Sequence, residues 1–206
     1  CCYLFCRRGF GVIRFCDVFF SLLGLIVLSP IFVIIALCIV LDSRGGVFYR
    51  QVRVGRDGKD FRLFKFRSMA RGADKKGLIT VGAKDSRVTR VGYFLRKYKL
   101  DELPQLLNVV RGEMSLVGPR PEVRKFVDMY TVEQRKVLAV APGITDYASI
   151  EYADENTILG QASDPDRAYV EQIMPDKIRY NMKYINNRCL KEYFKIIFLT
   201  LMKIVK

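Results

Sequence analysis

The chain has 206 residues, half of them hydrophobic, with a mean hydropathy of +0.10 and no His. That length holds one compact domain plus an appendage rather than two full domains, and the lack of His excludes His-dependent acid–base chemistry and His-rich metal sites. With 35 Lys and Arg against 21 Asp and Glu, the net charge is +14 and the pI near 9.6, which calls for anionic partners: nucleic acid, anionic lipid head groups or phosphorylated substrates.

The N-terminal stretch is apolar and rich in Cys. Cys1, Cys2, Cys6, Cys16, Cys38 and Cys189 form no CxxC pair, so neither a disulfide framework nor a zinc site is expected, and a reducing cytoplasmic setting fits. The chain opens on Cys1 rather than Met, as a fragment or a processed product would. From Val18 to Leu41 there is no charged residue; at about 1.5 Å per residue a run of that length just crosses a hydrocarbon core. No small-residue cleavage site follows it, which speaks against a cleaved signal peptide.

Two features qualify a straight spanning helix. Ser29-Pro30 interrupts the middle of the run, where Pro removes a backbone donor and clashes with the preceding turn. Both flanks are basic, with Arg7, Arg8 and Arg14 before and Arg44, Arg50, Arg53 and Arg56 after. One basic flank suits a spanning helix, whereas two suit a segment that bends and returns to the same face. Pro also kinks true spanning helices, so residue physics alone leaves spanning and re-entry open.

Next, VFYRQVRVG and FRLFKFRSM flank RDGKD, and Asp57-Gly58 is a turn signal between two strand-like runs. This predicts a basic β-hairpin carrying Arg50, Arg53, Arg62, Lys65 and Arg67, of which some are expected to be plain solvated edge charges. Arg71 to Arg87 is Gly-, Lys- and Asp-rich and reads as a mobile surface loop. A short basic helix is expected over Arg90–Lys97.

In KLDELPQLLNVVRGEMSLVGPRPE, helical spacing of Leu103, Leu106, Leu107 and Val110 predicts a helix ended by Gly112. Asp101 and Glu102 then fall at its N-terminus. There they serve either as caps or as chemical groups where a helix start also favours phosphate. GPRPE, Gly118 to Glu122, reads as a rigid turn that aims Arg120, a fork suited to phosphate oxygens. At the C-terminus, Leu190, Tyr193, Phe194, Ile197, Leu201, Ile204 and Val205 recur at helical spacing among Lys191, Lys195, Lys203 and Lys206. That pattern suits a helix lying on anionic lipid or one packed on the protein's own core.

Taken in order, these motifs resemble the monotopic phosphoglycosyl transferases, or bacterial sugar transferases, from about Arg14 to the C-terminus. The resemblance rests on Arg14–Asp17, Ser29-Pro30, FYRQVRVG with Gly55, FKFRSM (Phe64–Met69), LDELPQLLNV (Leu100–Val109), MSLVGPRP (Met114–Pro121) and APGIT (Ala141–Thr145). It implies a re-entrant membrane helix-break-helix on the cytoplasmic face of the bacterial inner membrane. It further implies that Asp101 attacks the β-phosphate of a UDP-sugar, releasing UMP, and that a polyprenol phosphate then takes the sugar phosphate from Asp101. Glu102 and Asp101 would hold Mg²⁺, and Arg96, Arg120 and Lys65 would contact phosphate. After APGIT many members continue with Gly and a Gln-containing stretch. Here Asp146-Tyr147-Ala148-Ser149 follows, which puts the sugar and nucleotide contacts in doubt.

The expected fold is therefore α/β, mixed and helix-rich: a small irregular cytosolic domain with a β-hairpin, anchored by the re-entrant segment and interfacial amphipathic helices. Residues 1–42 form the membrane segment and 43–206 the catalytic domain. Expected partners are a UDP-sugar donor, a polyprenol phosphate acceptor and membrane lipids, with further copies of the chain and downstream glycosyltransferases conceivable, and no nucleic acid. A membrane-tethered nucleic-acid-binding protein or an inactive scaffold for glycan assembly are the alternatives. The first would not need an acidic pair or a broken membrane segment; the second would not need Asp101, Glu102 and Arg120 together.

Overall fold

The computed structural model describes residues 2–70, 72–73, 85–152, 155–161 and 164–205. Most of the segment expected to be a mobile loop, residues 71 and 74–84, lies outside the described residues. The fold is mixed and helix-rich. In chain order it runs α1 (Cys2–Val27), α2 (Ser29–Asp42), β1 (Phe48–Val54), β2 (Asp60–Phe66), α3 (Arg90–Lys97), α4 (Gln105–Arg111), β3 (Ser115–Val117) and α5 (Arg124–Val127). It continues through β4 (Gly143–Thr145), α6 (Tyr147–Glu151), α7 (Glu155–Gln161), α8 (Pro165–Ala168), α9 (Met174–Asn186) and α10 (Leu190–Val205).

The apolar run folds as two helices with only Leu28 between them, bent by 61°. Pro30 has no N–H to offer the carbonyl of Ile26. The Ser29 hydroxyl donates to that same carbonyl at 2.8 Å. On either side the ladder continues, Leu28 N–H to Gly24 O and Phe32 N–H to Leu28 O. Ser29-Pro30 thus makes a fixed bend at little cost in hydrogen bonds. Among the described residues no single helix is long and apolar enough to cross a membrane; α1 and α2 reach that standard only as a bent pair.

Helix α1 is tied to the rest of the molecule by the two charges nearest the apolar run. Arg14 donates to the carbonyls of Val109 and Val110 at 2.7 and 3.1 Å, satisfying the open end of α4. Asp17, buried, accepts from Ser115 Oγ, Leu116 N–H and Tyr193 O–H at 2.9 to 3.0 Å. Around them Ile13, Val117, Tyr184, Tyr193 and Ile196 form a closed core cluster. On the opposite face of α1 Phe15, Phe19, Leu23 and Ile26 are exposed, as are Val33, Ile34 and Leu37 of α2.

The C-terminal helix divides its apolar residues between two duties. Tyr193, expected with the lipid-facing stripe, is fully buried with Ile196 in the α1 core. Its hydroxyl needs a partner when buried, and Asp17 provides one. Phe194, Phe198, Leu201 and Met202 are exposed, and Phe194 meets Phe20 edge to face at 6.1 Å. The bare apolar surfaces of α1 and α10 therefore adjoin.

The predicted hairpin forms: β1 and β2 pair antiparallel with Tyr49 opposite Lys65 and Arg53 opposite Phe61. Its turn places Asp57 and Gly58 at φ 57° and 74°, the left-handed region that Asp and Gly tolerate best. Charges expected together on this hairpin separate by side. Arg50 and Arg62 face solvent, while Arg67 is buried and donates to Arg44 O, Ser43 O and Ser43 Oγ, capping α2. Phe66 anchors the same corner against Phe32 and Phe48. A second, parallel pair joins β3 to β4, Ser115 opposite Gly143 and Val117 opposite Thr145. Beyond it the backbones close so tightly that a Cβ on Gly143 would lie 2.1 Å from Gly118 N; only glycine permits that approach.

Candidate functional site

Asp101 and Glu102 lie on a single 3-10 turn, Leu100–Glu102, between α3 and α4. Lys99, just before it, is left-handed at φ 56°, an uncommon conformation for a residue with a Cβ. Its N–H donates to Arg96 O as α3 closes, and the chain reverses there toward the dyad. The expected position in the first turn of α4 needs correction. Pro104 takes the cap position and the helix proper begins at Gln105. Neither carboxylate caps either element, so capping does not account for them.

The two carboxylates have opposite surroundings. Glu102 Oε1 accepts from Lys65 Nζ at 3.1 Å and from Arg120 Nη2, while Oε2 accepts from Arg120 Nη1 at 3.2 Å. Burial alone would raise its pKa, but the Arg120 fork and Lys65 outweigh it and hold the carboxyl well below the usual range. Asp101 is 8% exposed and accepts no hydrogen bond among the described residues. Burial pushes its pKa up; Lys65, Arg96 and Arg120 pull against this, and the neighbouring Glu102 adds to it. One acid is thus paired with two cations, and its neighbour accepts no hydrogen bond among the described residues.

Each cation arrives by a different route. Lys65 is on β2, which Asn108 clamps to α4: Asn108 Oδ1 accepts from Phe64 N–H, and its amide donates to Arg62 O and Glu113. Burial lowers the Lys65 pKa, and Glu102 offsets part of that. Arg120 stands between Pro119 and Pro121 directly after β3. Its backbone N–H is held by Asp146 Oδ2 at 3.1 Å, and the Pro119 carbonyl accepts from Gly143 N–H. Arg53 supports the far side through Pro121 O and an ion pair to Glu122. Arg96 comes from the last turn of α3.

Lys65, Arg96, Asp101, Glu102 and Arg120 all line one cavity of about 720 Å³, the size of a site for a small organic ligand. Lys99, Arg53, Ser149, Tyr152, Tyr169 and Lys177 line it too. Ser29 and Pro30 lie apart, at the helix bend. Sequence reasoning missed Asn108 and Asp146, which hold in place β2 and Arg120 at the cavity. Asp146 at least carried a signal, since it begins the stretch where the chain departs from the usual continuation of APGIT. Among the described residues no three His, Cys, Asp or Glu side chains converge. Among the described residues, Asp101 and Glu102 are the adjacent carboxylates of the cavity that a metal could use.

The family model for bacterial sugar transferases matches residues 9–206. The chain belongs to this family. It is similar to the UDP-N-acetylgalactosamine-undecaprenyl-phosphate N-acetylgalactosaminephosphotransferase of Aeromonas hydrophila, 36% identical over 206 residues that cover 98% of this chain and 44% of that protein. The UDP-glucose:undecaprenyl-phosphate glucose-1-phosphate transferase of Klebsiella pneumoniae is 39% identical over 194 residues, 91% of this chain and 38% of its own length. The undecaprenyl-phosphate glucose phosphotransferase of Komagataeibacter xylinus is 42% identical over 145 residues, 65% of this chain and 26% of its own. The chain spans less than half the length of these relatives. The region matched to the bacterial sugar transferases contains Asp101, Glu102, Lys65, Arg96, Arg120 and the bend between α1 and α2.

Proposed function

We propose that this bacterial sugar transferase moves a sugar phosphate from a UDP-sugar to a polyprenol phosphate such as undecaprenyl phosphate, through a covalent intermediate on Asp101. The observation that carries this reading is a buried carboxylate that accepts no hydrogen bond among the described residues, set among Lys65, Arg96 and Arg120 in a ligand-sized cavity. In the first step an Asp101 carboxylate oxygen bonds to the β-phosphorus of the donor. The bond from that phosphorus to the bridging oxygen breaks, and UMP leaves with the electron pair. In the second step a phosphate oxygen of the lipid bonds to the same phosphorus, and the acyl-phosphate bond to Asp101 breaks. The products are a polyprenol diphosphosugar and free Asp101. A carboxylate nucleophile divides one hard displacement into two easier ones.

The cations offset charge as it gathers on the transferred group. Glu102 holds Lys65 and Arg120 in register before substrate arrives. Two hard oxygen donors beside phosphate suit Mg²⁺, which takes few carboxylates and completes its shell from substrate. Held by Asp101 and Glu102, it would neutralise the diphosphate. The relatives' names support a UDP-sugar donor and an undecaprenyl phosphate acceptor, and they differ in the sugar. The exposed apolar faces of α1, α2 and α10 support a seat on the membrane, with α1 and α2 entering and returning to the cytoplasmic face. That seat lets a soluble donor and a lipid phosphate reach one cavity.

The test is intact mass of wild type and Asp101→Asn after incubation with Mg²⁺ and a panel of UDP-sugars, acceptor omitted. A sugar-phosphate adduct and UMP release from wild type alone is the expected result. UMP release and lipid-linked product from the Asn variant would overturn the role of Asp101.

A further inference from the structure

The stretch after APGIT, which the transfer chemistry leaves unused, carries a second arrangement around Asp146. That residue is 1% exposed, and its two carboxylate oxygens point to two different parts of the cavity wall. Oδ2 accepts from the backbone N–H of Arg120 at 3.1 Å, and Oδ1 from the backbone N–H of Ser149 at 2.6 Å. Ser149 lines the same cavity as Asp101. Its Oγ is wholly buried and finds no hydrogen-bond partner among the described residues. Buried hydroxyls in native folds are normally paired, so this one, on a residue of the cavity wall, calls for a partner that the described residues do not supply. Tyr152, three residues further on, lines the cavity too, its hydroxyl held by Asp176 at 2.9 Å.

We propose that Ser149 is a donor-recognition residue, its hydroxyl hydrogen-bonding a hydroxyl-bearing part of the nucleotide sugar, and that Asp146 positions it relative to Arg120. One buried carboxylate then sets the spacing between the phosphate-facing guanidinium and the contact that reads the rest of the donor. The shared chemistry is a sugar hydroxyl, borne either by the transferred sugar or by the ribose. Ser149 acts in binding, through a neutral hydrogen bond made before the chemical step. Asp146 touches no substrate and acts through its two neighbours. This rests on the transferase reading above for the identity of the donor.

The experiment measures donor affinity without turnover, using calorimetry on the full chain carrying Asp101→Asn, with and without Ser149→Ala. The probes are UDP-glucose, UDP-N-acetylgalactosamine and UDP. Loss of one neutral hydrogen bond predicts about a fivefold weaker Kd for the sugar nucleotide that binds best. Loss for the UDP-sugar but not UDP assigns the contact to the transferred sugar; equal loss for both assigns it to the ribose. Unchanged Kd for all three probes in the Ser149→Ala variant overturns the proposal. Asp146→Asn on the wild-type background supplies the positioning readout. An amide cannot accept at both oxygens' places, so kcat falls together with a raised donor KM, while the acceptor KM holds. A change in thermal stability with donor KM unchanged would overturn the positioning role. Tight UDP-sugar binding without UMP release by wild type would sink the transferase reading and still let the binding comparison decide Ser149.

Discussion

The helix pair α1–α2 and the dyad cavity invert the usual distribution of residues in opposite directions. The first leaves Phe15, Phe19, Ile26, Val33, Ile34 and Leu37 bare; the second buries Asp101, Glu102 and Lys65 with little solvent. Exposed apolar surface of this extent costs free energy in water unless something apolar covers it. Buried charge costs free energy unless it is paired. Each region therefore calls for a complement: an apolar cover for the helices, and opposite charge for the dyad. Their meeting point is Asp17, a buried carboxylate on the apolar helix whose three donors come from β3 and α10. Through it and Arg14 helix α1 is bolted to α4 and to the strand that leads into Arg120.

The largest expected effect comes from breaking the pairing inside the cavity. Glu102→Gln leaves the Arg120 fork and Lys65 without their shared anion, and kcat/KM for UMP release should fall by about a thousandfold. A loss of less than tenfold would show that the cations keep their places unaided. On the other side of the comparison, Ile34→Lys puts a charge on the bare face of α2. Vesicle association should weaken by about 3 kcal/mol, read by flotation, while the unfolding midpoint in detergent stays within about 0.5 kcal/mol of wild type. An unfolding midpoint that dropped sharply would mean that this face packs on protein.

Asp17→Asn tests the bolt between the two regions. All three donors converge on Oδ1, a place the Asn oxygen can take, so what is lost is the charge on the acceptor, and stability should fall by about 1 kcal/mol, measured as a lower midpoint in detergent. The smallest effect is a shift in pH dependence. The pKa of Asp101 is raised by burial, so the proposed nucleophile ionises only as pH climbs past that raised value, and activity should fall below it. Lys65 opposes the rise; Lys65→Met therefore moves the acid limb of kcat/KM further up in pH. A limb that stayed put or moved down would deny Lys65 its place beside Asp101.

Much of this was legible in the chain. Alternating residues around Asp57-Gly58 make a hairpin because only that turn lets two apolar-backed strands meet, and the structure folds there as expected. Arg90–Lys97 forms its helix, with Thr89 accepting from Gly92 N–H as the cap. Ser29-Pro30 bends the apolar run because Pro lacks a donor wherever it stands. The dyad could be picked out as chemical only by resemblance to a family, since an acid near a helix start is most often a cap. What its neighbours do with it was invisible: Lys65 lies 37 residues upstream of Glu102 and Arg120 18 downstream. The C-terminal stripe shows the same limit. Tyr193 and Phe194 are adjacent and both apolar, yet one is buried on Asp17 and the other exposed beside Phe20.

By itself the sequence determined every feature that depends on neighbours along the chain. The fixed bend, the hairpin, the helix stops and the excess of positive charge follow from local sterics and composition, which need no fold to act. Only the tertiary structure decided which of two adjacent carboxylates is consumed by pairing and which is left bare. It also decided which arginines cap helices and which face the cavity. Burial and electrostatic pairing depend on distances between segments far apart in sequence, and those distances exist only once the chain has closed on itself.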